Sequence, residues 1–212
     1  MNTLTHTKQF IVAGIGTEIG KTVASAVFVE ALKADYWKPI QSGALTDSDT
    51  DTVRRLISNP VSQLHPEAYR LTQPLSPHAA AELDGVTIDP ASITLPQTDR
   101  GLVVELAGGL MVPLNSTYLN IDLVQQLGLP VLLVSRNYLG SINHTLLSVE
   151  ACRTRHIPIL GILFNGPTVR ASEEFILSYT RLPCIGRINQ EDAVTPEMVS
   201  KYAYLLNSKQ NP

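Results

Sequence analysis

Two lysines, several oxygen ligands and a run of glycines carry the chemistry in this chain, and the densest cluster is Gly14-Ile15-Gly16-Thr17-Glu18-Ile19-Gly20-Lys21-Thr22. It follows the apolar run Phe10-Ile11-Val12-Ala13 and precedes an amphipathic stretch that begins at Val23. That order is strand, glycine-rich turn and helix, and it closes on the Gly-Lys-Thr of a phosphate-binding loop. Glycines let backbone N–H groups converge on phosphate oxygens, the helix N-terminus adds partial positive charge, and Lys21 adds a full one. The Thr22 hydroxyl is then placed to ligate the magnesium that accompanies a nucleotide. The usual spacing puts the first glycine at position 15, five before Gly20, whereas here Gly14 and Gly16 flank that position. A surface turn with a fortuitous lysine is the plain alternative, and the flanking strand and helix count against it. The rival dinucleotide fingerprint Gly-x-Gly-x-x-Gly fails, because its third glycine is Ile19.

The remaining candidates close other apolar runs. Lys38-Pro39-Ile40-Gln41-Ser42-Gly43 presents a lysine and a serine where a second strand ends, since Pro39 holds Lys38 extended and Gly43 permits a tight turn. Taken alone, this is also an ordinary strand exit with a solvated lysine. Beside a triphosphate, a second lysine neutralises charge that develops during phosphoryl transfer. Asp47-Ser48-Asp49-Thr50-Asp51 offers alternating carboxylates that serve either magnesium or the cap of the helix that follows. Leu102-Val103-Val104-Glu105 ends in a carboxylate and runs into Ala107-Gly108-Gly109. An acid that finishes a central apolar strand is where phosphate-loop ATPases hold magnesium, and a cation accounts for burying it. Ser141, at the head of a helical stretch, is either a plain N-cap or the edge of an anion site. Asn165-Gly166 is a turn signal whose amide has the paired donor and acceptor that reads an adenine edge. His78, alone after Ser76-Pro77, reads as structural.

Such residues need a scaffold that brings strand ends together. Apolar, β-branched runs predict strands over 9–14, 35–38, 101–106, 130–135, 158–164 and 183–188. Several lack polar alternation, which suits parallel strands covered on both faces. Helical spacing occupies 21–33, 118–127, 142–155, 170–181 and 195–206. The alternation implies an α/β fold: a doubly wound, mostly parallel sheet with helices on both faces, whose ligands gather at the carboxyl ends of the strands. The region 60–100, rich in proline and without a confident strand, reads as a loop-rich excursion beside the site.

Composition narrows the function. A chain of 212 residues, 44% hydrophobic and 17% charged, suits one globular domain. A net charge of −3 argues against a nucleic-acid-binding face. No run is long enough to span a bilayer, and the start, with Lys8 and a short apolar run that leads into the loop, does not read as a signal peptide. Cys152 and Cys184 are expected to be buried thiols rather than a disulfide or metal pair. These features predict a cytoplasmic protein that binds neither nucleic acid nor membrane.

In order, the segments Gly-x-Gly-Thr-Glu-Ile-Gly-Lys-Thr, Lys-Pro-Ile-Gln-Ser-Gly, Leu-Ser-Pro-His, Glu-x-Ala-Gly-Gly and Leu-Gly-Ser-Ile-Asn-His resemble the dethiobiotin synthetase family over nearly the whole chain, from Gly14 to about Asn189. The spacing of six between Gly14 and Gly20 also matches that family. The resemblance implies a phosphate-loop enzyme that uses ATP and Mg2+ to close a ring on 7,8-diaminopelargonic acid with carbon dioxide or bicarbonate. A carbamate and a carbamic–phosphoric anhydride are its intermediates; ADP and phosphate are released. It further implies that Lys21 and Lys38 stabilise the carbamate and the transferring phosphoryl oxygens, and that Thr17 and Ser42 position the carbamate or diamine. Thr22, Asp51 and Glu105 would hold magnesium. Gly14, Gly16, Glu18, Ile19, Gly20, Lys21, Thr22 and Val23 would surround the phosphates, with Gly108 alongside. Asn165, Gly166 and Asn189 would border the adenine. Leu139, Gly140, Ser141 and Asn143 would meet the substrate carboxylate across a homodimer interface. Two positions depart from many relatives, which have glycine at Leu106 and aspartate at Gly166; ATP is nonetheless expected to remain the preferred donor. The competing readings are a phosphate-loop amide ligase of the cobyrinic-acid type, for whose ammonia supply 212 residues leave little room, and a partitioning-type ATPase switch. For that switch the tail, 201–212, is short and weakly charged.

Overall fold

The computed structural model describes residues 8–208. The opening residues read above for a signal peptide are therefore outside the described part up to residue 7, as are the last four of the tail.

The apolar runs form the middle of one sheet. β1 (Gln9–Gly14) lies between β6 (Leu102–Gly109) and β7 (Val131–Arg136) and is parallel to both. β2 (Asp35–Trp37) and β4 (Leu64–His65) extend the sheet beyond β6. β8 (Ile159–Asn165) and β9 (Cys184–Ile188) extend it beyond β7. The order is β4-β2-β6-β1-β7-β8-β9, with every neighbouring pair parallel. Successive strand residues face opposite sides, so complete burial of Phe10, Ile11, Val12 and Ala13 means that both faces are covered. Two helix groups supply the cover: α1 (Lys21–Leu32), α2 (Asp49–Leu56) and α7 (Pro196–Ser208) pack together, as do α5 (Ser141–Thr154) and α6 (Arg170–Thr180). The winding changes sides at β1, so its carboxyl end opens into the crevice where such sheets bind ligands.

Three expectations are corrected. The region 60–100 does contain strands: β4, and β5 (Tyr69–Leu71), which pairs with β3 (Ile40–Ser42) in a separate two-stranded parallel sheet. They escape a periodicity search because two or three residues at an edge need no apolar run. Helix α5 begins at Ser141, but its cap is Gly140 in a left-handed conformation (φ 103°), and Ser141 is the first helical residue. Cys184 opens β9 exposed rather than buried, whereas Cys152 is buried as expected.

The excursion is bolted to the sheet from below. The buried Asp35 carboxylate accepts from Thr98 Oγ1 at 2.6 Å and from Gln63 N at 2.8 Å, with His65 Nε2 at 3.3 Å and Arg100 Nε at 3.7 Å. Those contacts tie the two ends of the excursion, at β4 and at the loop before β6, to β2; α3 (Pro77–Leu83) lies between these ends in the chain.

Candidate active site

Sheet register creates the central charge cluster. Trp37 pairs with Val104, so Lys38, just past the end of β2, stands beside Glu105, which is the fourth residue of β6 and not the strand end that the sequence suggests. Lys38 Nζ lies 3.4 Å from Glu105 Oε1 and 2.5 Å from Asp49 Oδ2, the latter carried on the first residue of α2. Glu105 is fully buried, and its second oxygen accepts from Tyr36 Oη at 3.0 Å. Thr22 Oγ1 sits 2.7 Å from Asp49 Oδ1 and 2.8 Å from Glu105 Oε1. A hydroxyl has one proton for these two acceptors, so the trio has more acceptor than donor capacity.

Burial sets the protonation balance. For Lys21, burial is the largest influence and holds the pKa below its ordinary value; Glu105 opposes this and the Lys38 charge adds to it. Burial likewise opposes charge on Lys38, but Glu105 and then Asp49 outweigh it, and the pKa stands above the ordinary one. Burial of Asp49 works against ionisation, yet Lys38, followed by Thr22 and Lys21, brings its pKa down. Tyr36 is kept protonated by burial and by the neighbouring Glu105 charge.

The phosphate-type loop lies against this cluster. The first bond of α1 runs from Ala24 N–H to Gly20 O at 3.0 Å, which leaves the N–H groups at 20–23 as the helix's orphan donors. Loop carbonyls are held on the outside: Asn165 Nδ2 donates to Ile19 O at 2.8 Å, Arg136 Nη1 to Glu18 O at 3.3 Å, and Lys21 Nζ to Gly16 O at 3.0 Å. Gly20 is left-handed (φ 89°), and a Cβ there would lie 2.1 Å from Asn165 Nδ2, so only glycine fits. Glu18 adopts φ 56°, a strained choice for a side-chain-bearing residue at a loop of this kind.

A cavity of about 800 Å³ opens over the loop and the charge cluster. Thr17, Glu18, Ile19, Gly20, Lys21, Thr22, Val23, Lys38, Ser42, Glu105 and Gly108 all line it. The Ser42 hydroxyl is buried there without a hydrogen-bond partner. Pro74, Leu75, Ser76, Pro77 and Val112 form the facing wall, and Asp49 and Gln41 complete the polar side.

Asp51 does not join this group. It occupies the third position of α2, accepts from Ser48 N and Oγ in a capping box, and pairs with Arg54. Asp49 takes the place expected of it. The signal was in the sequence: Ser48-x-x-Asp51 is a capping-box pattern, which commits the later aspartate to the helix end and leaves Asp49 pointing inward. Tyr36 and Gln41 also went unforeseen; both are strand residues that pattern alone assigns to the core.

The other expected positions spread outward. Gly14 and Gly16 flank the loop's start, where a Cβ on Gly14 would lie 3.0 Å from Gly16 O. Asn165 abuts Gly20, and Gly166 follows it with φ 85°. Asn189 leaves β9 with its N–H on Tyr202 Oη at 3.0 Å. Leu106 is buried in the core and does not line the cavity. Leu139, Gly140, Ser141 and Asn143 also lie outside the cavity lining of the single chain, and Leu139 is fully exposed. His78 sits in α3 beside Ser76 Oγ, at 3.1 Å, and is not among the residues that line the cavity.

Oxygen donors from a hydroxyl and two carboxylates, with no cluster of three or more His, Cys, Asp or Glu among the described residues, suit a hard ion such as magnesium that takes its remaining ligands from phosphates and water. Fold and site together define a phosphate-loop, ATP-binding α/β protein. Solved structures agree on the fold: a ParA family ATPase from Chlorobium tepidum TLS (TM-score 0.53, 15% identity, 97% of this chain and 93% of that one) and the MinC:MinD cell division protein complex of Aquifex aeolicus (TM-score 0.55, 13% identity, 95% and 88%). A family model described as an AAA domain matches residues 8–198. The ATP-dependent dethiobiotin synthetase BioD of Christiangramia forsetii is 49% identical over 92% of this chain and 94% of its own length. Its counterpart from Cytophaga hutchinsonii is 46% identical over 94% and 97%, and that of Agrobacterium fabrum 45% over 89% of each. The chain belongs to the dethiobiotin synthetase family.

Proposed function

We propose that this chain is an ATP-dependent dethiobiotin synthetase that joins carbon dioxide to 7,8-diaminopelargonic acid in one ATP-binding domain. One amine takes up carbon dioxide as a carbamate and loses a proton. The carbamate oxygen attacks the γ-phosphorus of ATP, ADP leaves, and a carbamic–phosphoric anhydride remains. The second amine then attacks the carbonyl carbon, phosphate departs as the C–O bond to it breaks, the amine gives up a proton, and the ureido ring closes. The observation that carries this reading is the pairing of Lys38 with Glu105 and Asp49 on the wall that also holds Lys21.

Each residue has a distinct task. Lys21 and the orphan N–H groups at 20–23 hold the triphosphate, and Lys38 neutralises carbamate and transferring phosphoryl oxygens. Ser42, whose buried hydroxyl has room for a ligand partner, orients the carbamate or diamine together with Thr17. Thr22, Asp49 and Glu105 would hold Mg2+, which when bound draws charge from the β- and γ-phosphoryl oxygens. Asn165 keeps one N–H on the loop and offers its carbonyl to an adenine amine, with Gly166 and Asn189 beside it.

The 139–143 segment acts in this reading on the partner's site. Leu139, Leu147, Phe175 and Tyr179 leave apolar side chains exposed along α5, α6 and the loop before them. Such a face suits a symmetric homodimer interface. We place the enzyme in the cytoplasm, a reading supported by the absence, among described residues, of a helix long and apolar enough to cross a membrane.

The decisive experiment incubates the protein with diaminopelargonic acid, bicarbonate, MgCl2 and ATP and detects the product by mass. Dethiobiotin in step with ADP supports the reading. ADP formation with no dethiobiotin overturns it and favours an ATPase switch.

A further inference from the structure

Outside the cavity, one buried carboxylate touches more functional segments than any packing role requires. Glu173, in the first turn of α6, is buried. Its Oε1 accepts from Asn137 Nδ2 at 2.5 Å and from Val169 N at 3.2 Å. Its Oε2 is paired with the Arg187 guanidinium. Arg187 in turn donates to Gly166 O at 3.2 Å and lies over the Phe164 ring, 5.6 Å from its centre. Asn137 also donates to Pro167 O at 2.9 Å.

These contacts link the carboxyl ends of three neighbouring strands. Asn137 immediately follows β7 and leads into the 139–143 segment. Gly166 follows Asn165 at the end of β8, and Arg187 belongs to β9. The two oxygens of Glu173 thus serve two places: one holds the loop assigned to the substrate carboxylate, the other holds, through Arg187, the corner assigned to the nucleoside. A buried charge shared this way is costly unless bonded, and both Glu173 oxygens are; Asn137 Oδ1, buried beside them, has no hydrogen-bond partner. Capping Val169 N at the head of α6 accounts for one of these bonds and leaves those to Asn137 and Arg187 without a role in the helix itself.

We infer that Glu173 is a positioning residue that sets the nucleoside corner and the β7–α5 loop at a fixed separation, so that the two substrates meet in register. The inference rests on the synthetase reading of those segments. Glu173 is not among the residues lining the cavity, and it reaches the two substrate segments through Asn137 and Arg187.

Steady-state constants for three variants test it. Asn137→Ala should raise KM for diaminopelargonic acid roughly ten-fold and leave KM for ATP within about two-fold. Arg187→Met should do the reverse, and Glu173→Gln, which keeps the shape but not the charge, should raise both while kcat stays within about three-fold. Arg153→Ala, which removes a contact to Thr180 O at the far end of α6, calibrates stability loss alone and should move neither constant. Calorimetric affinities for ATP and for the diamino acid give the same comparison without turnover. If the three variants only lower Tm, or shift both constants together whichever corner is cut, the positioning role is overturned. A wild type that makes dethiobiotin while its variants stay unshifted removes this inference and leaves the synthetase reading intact.

Discussion

Lys21 and Lys38 differ in what surrounds them, and their substitutions should differ accordingly. Lys21 faces the loop and is only partly compensated, so Lys21→Ala should weaken ATP affinity and abolish turnover together. Lys38 is clamped by two carboxylates, where the proposed reaction puts the reacting oxygens. Lys38→Ala should lower kcat by roughly 10²–10³ while ATP affinity measured by calorimetry changes little; equal losses in both would move Lys38 out of the reacting zone. The two aspartates of α2 separate in the same manner. Asp49→Asn should raise the magnesium concentration for half-maximal rate, whereas Asp51→Asn should lower Tm slightly by weakening the capping box and spare the rate. Titrating rate against MgCl2 for both variants reads this directly. The pH response follows from signs. Asp49 has a lowered pKa, so its contribution is full above the ordinary carboxylate value and is lost as pH falls through the folded one. Lys38 has a raised pKa, so its contribution is full below the ordinary lysine value and fades only as pH rises through the folded one. The joint contribution of Asp49 and Lys38 should therefore be flat from about pH 5 to 10 and fall at both ends, with the acid limb flattened by Asp49→Asn in a denaturation series; Lys21, whose pKa is lowered, contributes the opposite sign on the alkaline side. From sequence, residue types and strand ends located Lys21, Lys38, Thr22 and Glu105. Choosing between two aspartates spaced by one residue required noticing the cap.

At the scale of elements, Asp35 has no part in chemistry but joins strand β2 to three loop contacts. Asp35→Ala removes one side of a buried network and should cost about 3 kcal/mol, or roughly 10 °C of Tm for a chain of this size. Far-ultraviolet circular dichroism melting would show it; a loss below about 1 kcal/mol would mean that the excursion is held elsewhere. The central strands were legible because Val103, Val131 and Ile162 belong to unbroken apolar runs, which only a sheet buried on both faces requires. β3, β4 and β5 were not. Their residues pair at edges, where Gln41, His65 and Arg70 keep polar partners and no periodicity accumulates. Gly140 as the α5 cap was hidden for a related reason: serine is the commoner capping residue, but the left-handed turn before α5 needed glycine.

For the whole molecule, the prediction concerns sharing between chains. If the 139–143 segment completes the neighbouring subunit's site, a Lys38→Ala chain and an Asn143→Ala chain, each nearly inactive alone, should regain about a quarter of wild-type rate when refolded together. Half the dimers are then mixed, and each has one intact site. Recovery absent at every mixing ratio would confine the site to one chain. If the exposed face that carries Phe175 is the proposed dimer seam, Phe175→Glu should shift the sedimentation coefficient from dimer to monomer and lower turnover with it.

The break between β2 and β3 has a further consequence. Lys38 and Pro39 span the step from the main sheet to the small one, and the Pro39 carbonyl receives N–H groups from Ala68 and Tyr69 at 2.8 and 3.0 Å. The ammonium on which the proposed reaction relies is thus hinged to the part of the chain with the shortest strands. Gentle warming that frays this seam would silence the protein while its large sheet stayed intact, so heat would extinguish function earlier than form.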